Sequence, residues 1–448
     1  MAPASLLLAL FVPLGASTAS AQSPPPPAIV AFVDVSLVPM DAERVLPHRV
    51  VVVEEGVVVA VGPLGEVEVP HDAVRIDGRG RWLMPGLADL HVHLFSTTDL
   101  LLYVANGVTT VRNLGGYGAA DSVLALRGRI ASGEILGPTV FTSGNWLDGS
   151  PPIRDINTVV TTPAAARREV DAQARAGFDF VKVYETLTRE VYAAILDEGA
   201  RVGIPVTGHA PPAVGLEGVL ESGQVELAHA AMILRSIGWD ADSASMARVA
   251  DRVARAGVAV TATLSMAELA FRQAGNPDEI ARVADRPINR YVPPDRRDFW
   301  RHQNMFAGMP RRADPDLRTR AVRRLVRALH EAGVPVLAGT DSDVGGQVPG
   351  FSIHDELRNL VASGLSPYEA LRTATAEPHS FLAGVLPDVQ PFATIEVGRR
   401  ADLLLLEADP LADVAHVEQR AGVMVAGRWL PESELKTRLD ALAGSYRN

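Results

Sequence analysis

Four histidines, one lysine and one aspartate carry the chemistry that this sequence can do. His91 and His93 lie two apart in Leu90-His91-Val92-His93, so on an extended chain both imidazoles project from one side. His209 follows Ile204-Pro205-Val206-Thr207-Gly208, and His229 follows Val225-Glu226-Leu227-Ala228. Asp341 follows Val336-Leu337-Ala338-Gly339-Thr340. Each of these stands where a short apolar run ends. Lys182 lies inside such a run, Phe180-Val181-Lys182-Val183-Tyr184, where an ammonium is costly unless paired or modified. Imidazole and carboxylate groups hold divalent metal ions. An ammonium does not, but the carbamate that a lysine forms with CO2 is a bridging carboxylate. A buried ion pair is the other reading of Lys182. Taken singly, a His-x-His pair or one histidine at a strand end is equally a packed polar residue. Six such groups on five different runs point instead to a metal centre. The chain has no cysteine, which excludes thiolate ligands, disulfides and a cysteine nucleophile.

The elements that must position these groups alternate regularly. Over residues 86–384, apolar runs at 87–93, 108–112, 139–142, 180–184, 205–208, 225–228, 258–263 and 336–339 are separated mostly by segments of helical period, such as 163–177, 189–203 and 317–333. Eight strands alternating with helices predict parallel pairing through right-handed crossovers. The length suits an α/β fold of the (β/α)8 TIM barrel type, in which catalytic groups sit at the C-terminal strand ends. A doubly wound open sheet is the competing arrangement. The longest insertion, 266–316, follows the seventh strand and reads as a lid or a subunit contact. Residues 29–74 read as short strands, with a hairpin signal at Glu54-Glu55-Gly56; residues 401–406 and 423–425 are similar. The two β-rich ends are expected to pair, because domain termini often lie close together. The predicted organisation is a composite β-sandwich (29–80 and 390–430), a barrel (81–389) and a C-terminal helix or tail (431–448).

The N-terminus predicts export. An apolar core followed by Ala19-Ser20-Ala21 reads as a signal peptide over 1–21, although no Lys or Arg precedes the core. A stiff Pro-rich linker at 22–28 follows. The expected location is periplasmic or secreted, with no membrane anchor, since the apolar core is too short to span a bilayer. The chain has 448 residues, 47% of them hydrophobic, enough for one large barrel and a smaller satellite. Its formal net charge of −11 leaves no electrostatic footprint for nucleic acid.

Several segments together resemble the amidohydrolase superfamily, in its imidazolonepropionase-like branch with metal-dependent Xaa-Pro dipeptidases and carboxypeptidases. They are Met84-Pro85-Gly86-Leu87-Ala88-Asp89-Leu90-His91-Val92-His93, Val181-Lys182-Val183-Tyr184, Gly208-His209-Ala210, Ala228-His229-Ala230 and Gly339-Thr340-Asp341-Ser342. Gly364-Leu365-Ser366-Pro367-Tyr368-Glu369-Ala370-Leu371 and Gly398-Arg399-Arg400-Ala401-Asp402-Leu403 match as well. The resemblance implies two divalent metal ions, with zinc favoured. His91, His93 and Asp341 would hold the more buried one, His209 and His229 the more exposed one, and a carboxylated Lys182 would bridge them. The implied reaction is metal-assisted hydrolysis of amide bonds in small molecules such as dipeptides or N-acyl amino acids. Asp341 would act as the proton carrier and Tyr184, two residues from Lys182 on the same strand face, as a donor to the oxyanion. Arg154, Arg235 and Tyr291, on segments after strands, are the candidates to grip a substrate carboxylate.

Two departures from the resemblance stand out. Asn113 replaces an aspartate common after the second strand, and the segment 143–149 lacks a histidine found in some relatives. Both bear on the substrate. Hydrolysis of a cyclic amide, aryl-amide, lactone or phosphotriester is the rival reaction, and a non-catalytic scaffold is a further rival. A homo-oligomer is an expectation from the family alone.

Overall fold

The computed structural model describes residues 29–115, 120–311 and 313–447. The expected signal peptide and Pro-rich linker lie outside the described residues. All eight apolar runs form strands: Leu87–Val92, Val108–Asn113, Thr139–Thr142, Val181–Val183, Val206–Gly208, Glu226–Ala228, Ala259–Thr261 and Val336–Leu337. Every pairing among them is parallel. The first three make one sheet. The last five make another, extended beside the fourth strand by Leu147–Asp148 and Thr158–Val159. Single parallel bridges link the sheets on both sides, Ser143 to Phe180 and Val92 to Ser342. At the second bridge Asp341 N donates to His91 O at 2.7 Å, and His93 N to Ser342 O at 2.6 Å. All of these strands except Thr139–Thr142 are buried on both faces, which is why they read as apolar runs rather than as an alternating pattern.

The connecting helices carry the stop and start signals expected of them. Pro163–Ala176 is capped by the Thr162 side chain and ends at Gly177; Arg189–Val202 is capped by Thr188 and ends at Gly203. The 266–316 insertion contains helices Leu264–Gln273, Pro277–Ala284 and Pro294–His302 around a 3-10 turn at Pro287–Tyr291. The first of these helices starts without a side-chain cap from Thr263. Glu356 supplies one from a distant helix, accepting the Leu264 and Ser265 N–H groups at 3.0 and 2.6 Å. Arg296, in the last insertion helix, pairs with Asp343 just beyond Asp341, which ties the insertion to the loop of the eighth strand.

Both chain ends enter one eight-stranded sheet in the order Arg428–Pro431, Arg420–Val425, Leu403–Leu406, Trp82–Pro85, Ile29–Leu37, Leu46–Glu54 and Val57–Pro63, with Val74–Asp77 also paired to Ile29–Leu37. Trp82–Pro85 belongs to this sheet and hands the chain directly to the strand that carries His91 and His93. The predicted hairpin is present: Glu54 pairs with Val57, and Glu55 and Gly56 both have positive φ, as a tight two-residue turn requires. Phe32 and Trp429 lie four strand positions apart, yet their ring centroids are 5.2 Å apart and nearly perpendicular. The helix Glu432–Ser445 follows and packs Leu439, Leu442 and Ala443 against Leu102, Trp300 and Val348. Among the described residues no helix is long and apolar enough to cross a membrane.

Candidate active site

Parallel pairing puts the C-terminal ends of the strands on one side, and the six singled-out residues meet there. His91, His93, Lys182, His209, His229 and Asp341 all line one cavity of about 390 Å³. The imidazoles form a continuous set, with centroids 5.4 Å apart for His91 and His93, 4.6 Å for His91 and His229, and 5.0 Å for His209 and His229. Asp341 Oδ1 lies 3.0 Å from His93 Nε2 and 3.4 Å from His91 Nε2, while its Oδ2 is 4.0 Å from His229 Nε2. His91, His93 and Asp341 bring their ligand atoms within 4.8 Å of one another, the spacing of a metal site.

Their protonation follows from their neighbours. His93 Nδ1 is 2.6 Å from the Gly115 carbonyl, which only accepts, so this nitrogen carries a proton. Nε2 then faces Asp341 at 3.0 Å, and two lone pairs at that distance require a proton or a cation between them. His209 donates from Nδ1 to Glu185 at 3.1 Å, and His229 Nδ1 pairs with Thr263 Oγ1 at 3.0 Å. Burial and the nearby Lys182 hold His91 and His209 well below the ordinary imidazole range; burial above all takes His229 down to about 3. All three are therefore neutral, the ligand form. Burial works against the charge of Asp341, but the hydrogen bond with His93 and the charge of neighbouring Lys182 outweigh it and keep the carboxylate ionised.

Lys182 is fully buried, and its Nζ finds no hydrogen-bond partner among the described residues; nor does His91 Nδ1. Burial lowers the Lys182 amine to about 8, against the opposing pull of Glu226 and Asp341. Beneath it lies a closed polar layer. Arg112 pairs with Glu226 at 3.2 Å and donates to Leu90 O at 2.7 Å, and Thr207 and Thr261 donate to the same glutamate. A set of neutral imidazoles, an ionised carboxylate and two buried polar atoms without partners fits a metal centre in both charge and donor type.

The comparisons agree with this geometry. Residues 82–430 match the model of the amidohydrolase family, well over half of the chain. The chain belongs to the amidohydrolase family. Members of this family generally bind metal ions. A solved structure from Bifidobacterium longum assigned as a prolidase is 27% identical, covers 95% of this chain and 100% of its own, and has a TM-score of 0.68. A bottromycin amidohydrolase is also 27% identical, over 93% of this chain and 91% of its own, with a TM-score of 0.72. An imidazolonepropionase from Stenotrophomonas maltophilia is 41% identical over 63 residues, 14% of this chain and 16% of that protein. The chain spans at most 19% of the length of the curated relatives it matches.

Around the cluster, this amidohydrolase places the other candidates unequally. Tyr184 lines the cavity, stacked on Trp146 at 4.9 Å and 4.3 Å from the His209 ring centroid. Burial pushes its hydroxyl up to about 12, and Arg154 hydrogen-bonds it. Arg154 and Arg235 both line the cavity, and Arg235 pairs with Glu185 at 3.0 Å. Tyr291 does not line it, and that expectation is corrected. It packs in a separate apolar cluster, stacked on Phe351 at 5.4 Å with its hydroxyl taken by Arg290 at 2.5 Å, because the 3-10 turn aims it at the C-terminal helix. Asn113 does not line the cavity either; it accepts from Leu94 N at 2.9 Å and donates to Thr142 Oγ1 at 3.0 Å, joining the first three strands.

Three wall features escaped the sequence reading. Glu185 orients His209, and its position right after Tyr184 at a strand end was the available signal. Trp146, in the 143–149 segment, has its ring centroid 5.2 Å from that of His93. The insertion supplies an apolar wall with Met266, Phe271, Met305 and Met309, and Arg318 stands on the helix after it.

Proposed function

We propose that this protein is an exported, binuclear metal-dependent amidohydrolase that cleaves the amide bond of small dipeptides or N-acyl amino acids. The observation that carries this reading is the convergence of all six ligand-type residues on one cavity floor. His91, His93 and Asp341 would hold one ion, His209 and His229 the other, and a carboxylated Lys182 would lie between them, with zinc favoured by the imidazole and carboxylate donors. A buried amine lowered to about 8 supports the carbamate, because only the neutral amine attacks CO2 and roughly a tenth of it is neutral at pH 7. Such ions, when bound, bring the pKa of water down to roughly 7 and polarise a carbonyl.

The chain's own groups do the rest. Asp341, ionised among neutral imidazoles, takes the proton of the attacking water and passes it to the leaving nitrogen. Tyr184 stays protonated throughout the neutral range and donates its hydroxyl hydrogen toward the carbonyl oxygen as charge develops there. Arg154 and Arg235 read a substrate carboxylate at the cavity wall. A volume of about 390 Å³ suits a dipeptide-sized molecule and excludes proteins.

The same reading closes the eight parallel strands into a (β/α)8 barrel through the bridges at Ser143 and Val92. It also folds the chain-end sheet over as a sandwich. In support, strands four positions apart in a flat sheet are separated by about 19 Å, far more than the contact of Phe32 with Trp429 permits. Export rests on the sequence of 1–21. Neighbours described as a prolidase and a bottromycin amidohydrolase support the amide bond as target. Initial rates on paired substrates with free and amidated C-termini test the reading. Amidation is expected to cut kcat/KM by well over tenfold. Equal rates would remove the carboxylate recognition, and turnover of lactones or phosphotriesters alone would replace the amide reading.

A further inference from the structure

The cavity wall is electrostatically one-sided. Away from the six ligand-type residues it presents the guanidinium groups of Arg154, Arg235 and Arg318, and Glu185 is the one carboxylate among the described lining residues. Both oxygens of Glu185 are engaged, Oε1 by His209 at 3.1 Å and Oε2 by Arg235 at 3.0 Å. Asp341 is enclosed by three imidazoles. A free dipeptide brings an α-ammonium next to its scissile carbonyl, and that cation has no carboxylate to meet here.

Around Arg318 the wall is apolar and aromatic. Trp239 and Phe271 form a perpendicular corner with ring centroids 5.4 Å apart, and the Arg318 guanidinium lies 4.3 Å from the Trp239 centroid. Met266, Met305 and Met309 face the same cavity, and the last two are 44% and 40% exposed in spite of their apolar side chains. Exposed methionines along a pocket give an adaptable apolar surface, and a Trp–Phe corner takes a flat group edge-on or stacked.

We infer that this enzyme selects N-acylated amino acids whose acyl group is bulky and apolar, and discriminates against free dipeptides. This rests on the amide-hydrolase reading above. The acyl group lies in the Trp239–Phe271 corner, the carboxylate is balanced by the arginines, and a substrate with no ammonium leaves no buried cation unpaired. The hydrolysis itself is unchanged: water adds across the C–N bond to give the carboxylic acid and the free amino acid.

The test compares phenylalanyl-leucine with hydrocinnamoyl-leucine, which differ only in the α-ammonium. For the metal-loaded full-length enzyme at pH 7, kcat/KM is expected to be at least tenfold higher for the hydrocinnamoyl compound. The gap should narrow as pH rises past about 8, where the dipeptide amine loses its proton. Trp239→Ala should lower kcat/KM for hydrocinnamoyl-leucine much more than for acetyl-leucine. Ala270→Asp, which adds a carboxylate to the wall, should shift preference toward the dipeptide. Equal or better turnover of the dipeptide by the wild-type enzyme at pH 7 overturns the inference and leaves the amide-hydrolase reading intact. Failure to cleave either compound, with turnover of a lactone or phosphotriester, overturns that reading and this inference with it.

Discussion

Asp89 sits directly behind the cluster of ligand-type residues, two residues before His91. Its carboxyl is fully buried and accepts from Thr340 N at 3.0 Å, His91 N at 3.3 Å and Thr340 Oγ1 at 2.6 Å, so it joins the first and eighth strands beside His91 and Asp341. Burial outweighs these hydrogen bonds and pushes the group up to about 7, from an ordinary value near 3.8. Between about pH 4 and 7 the folded chain thus holds a proton here that the unfolded chain has lost, and stability falls as pH rises through that window. The change from 3.8 to about 7 corresponds to about 4 kcal/mol. Asp89→Asn mimics the protonated form and should abolish that slope. Chemical denaturation of metal-free protein at pH 5 and pH 8 should show the variant gaining on wild type at the higher pH; parallel changes would refute the assignment. Lys182 was legible in the sequence because a charge inside an apolar strand demands an explanation. Glu226 and Asp89 carried the same signal and hold the layer beneath the cluster. Tyr291 was not legible, because the direction a side chain takes from a 3-10 turn depends on what packs around it.

At the scale of elements, the strands were read almost to the residue, because burial on both faces leaves an unbroken apolar run bounded by polar groups. The insertion was visible as an interruption, but its role as a wall was not, since the inward face of a short helix is set by its neighbours. Backbone approach at the strand ends was equally invisible, though it controls the site. At Gly339 an added Cβ would lie 2.4 Å from Thr261 Cγ2 and 2.8 Å from His91 Cβ. Gly339→Ala should therefore push the eighth strand away from the first and seventh beside His91, costing about 1–3 kcal/mol and most of the activity. Gly128→Ala, where a Cβ meets nothing within 4 Å on a helix, is the control and should be neutral or slightly stabilising. Similar melting temperatures and rates for the two variants would contradict this account of the strand junction.

Across the whole molecule, the two β-rich ends are expected to meet because domain termini often lie close together, and they do so in one sheet. That meeting fixes the entry to the strand of His91 and His93, through Trp82–Pro85, and the C-terminal helix then braces the far side of the insertion. Which strands would pair across the chain ends was beyond the sequence, since register among short apolar strands is decided by long-range packing. The central claim is that the cluster is a metal centre on which hydrolysis depends. Elemental analysis of purified enzyme alongside its activity tests it most directly. The account predicts about two divalent ions per chain, loss of amide hydrolysis when a chelator removes them, and recovery when zinc is returned. Full activity in chelated protein with a negligible metal content would contradict it.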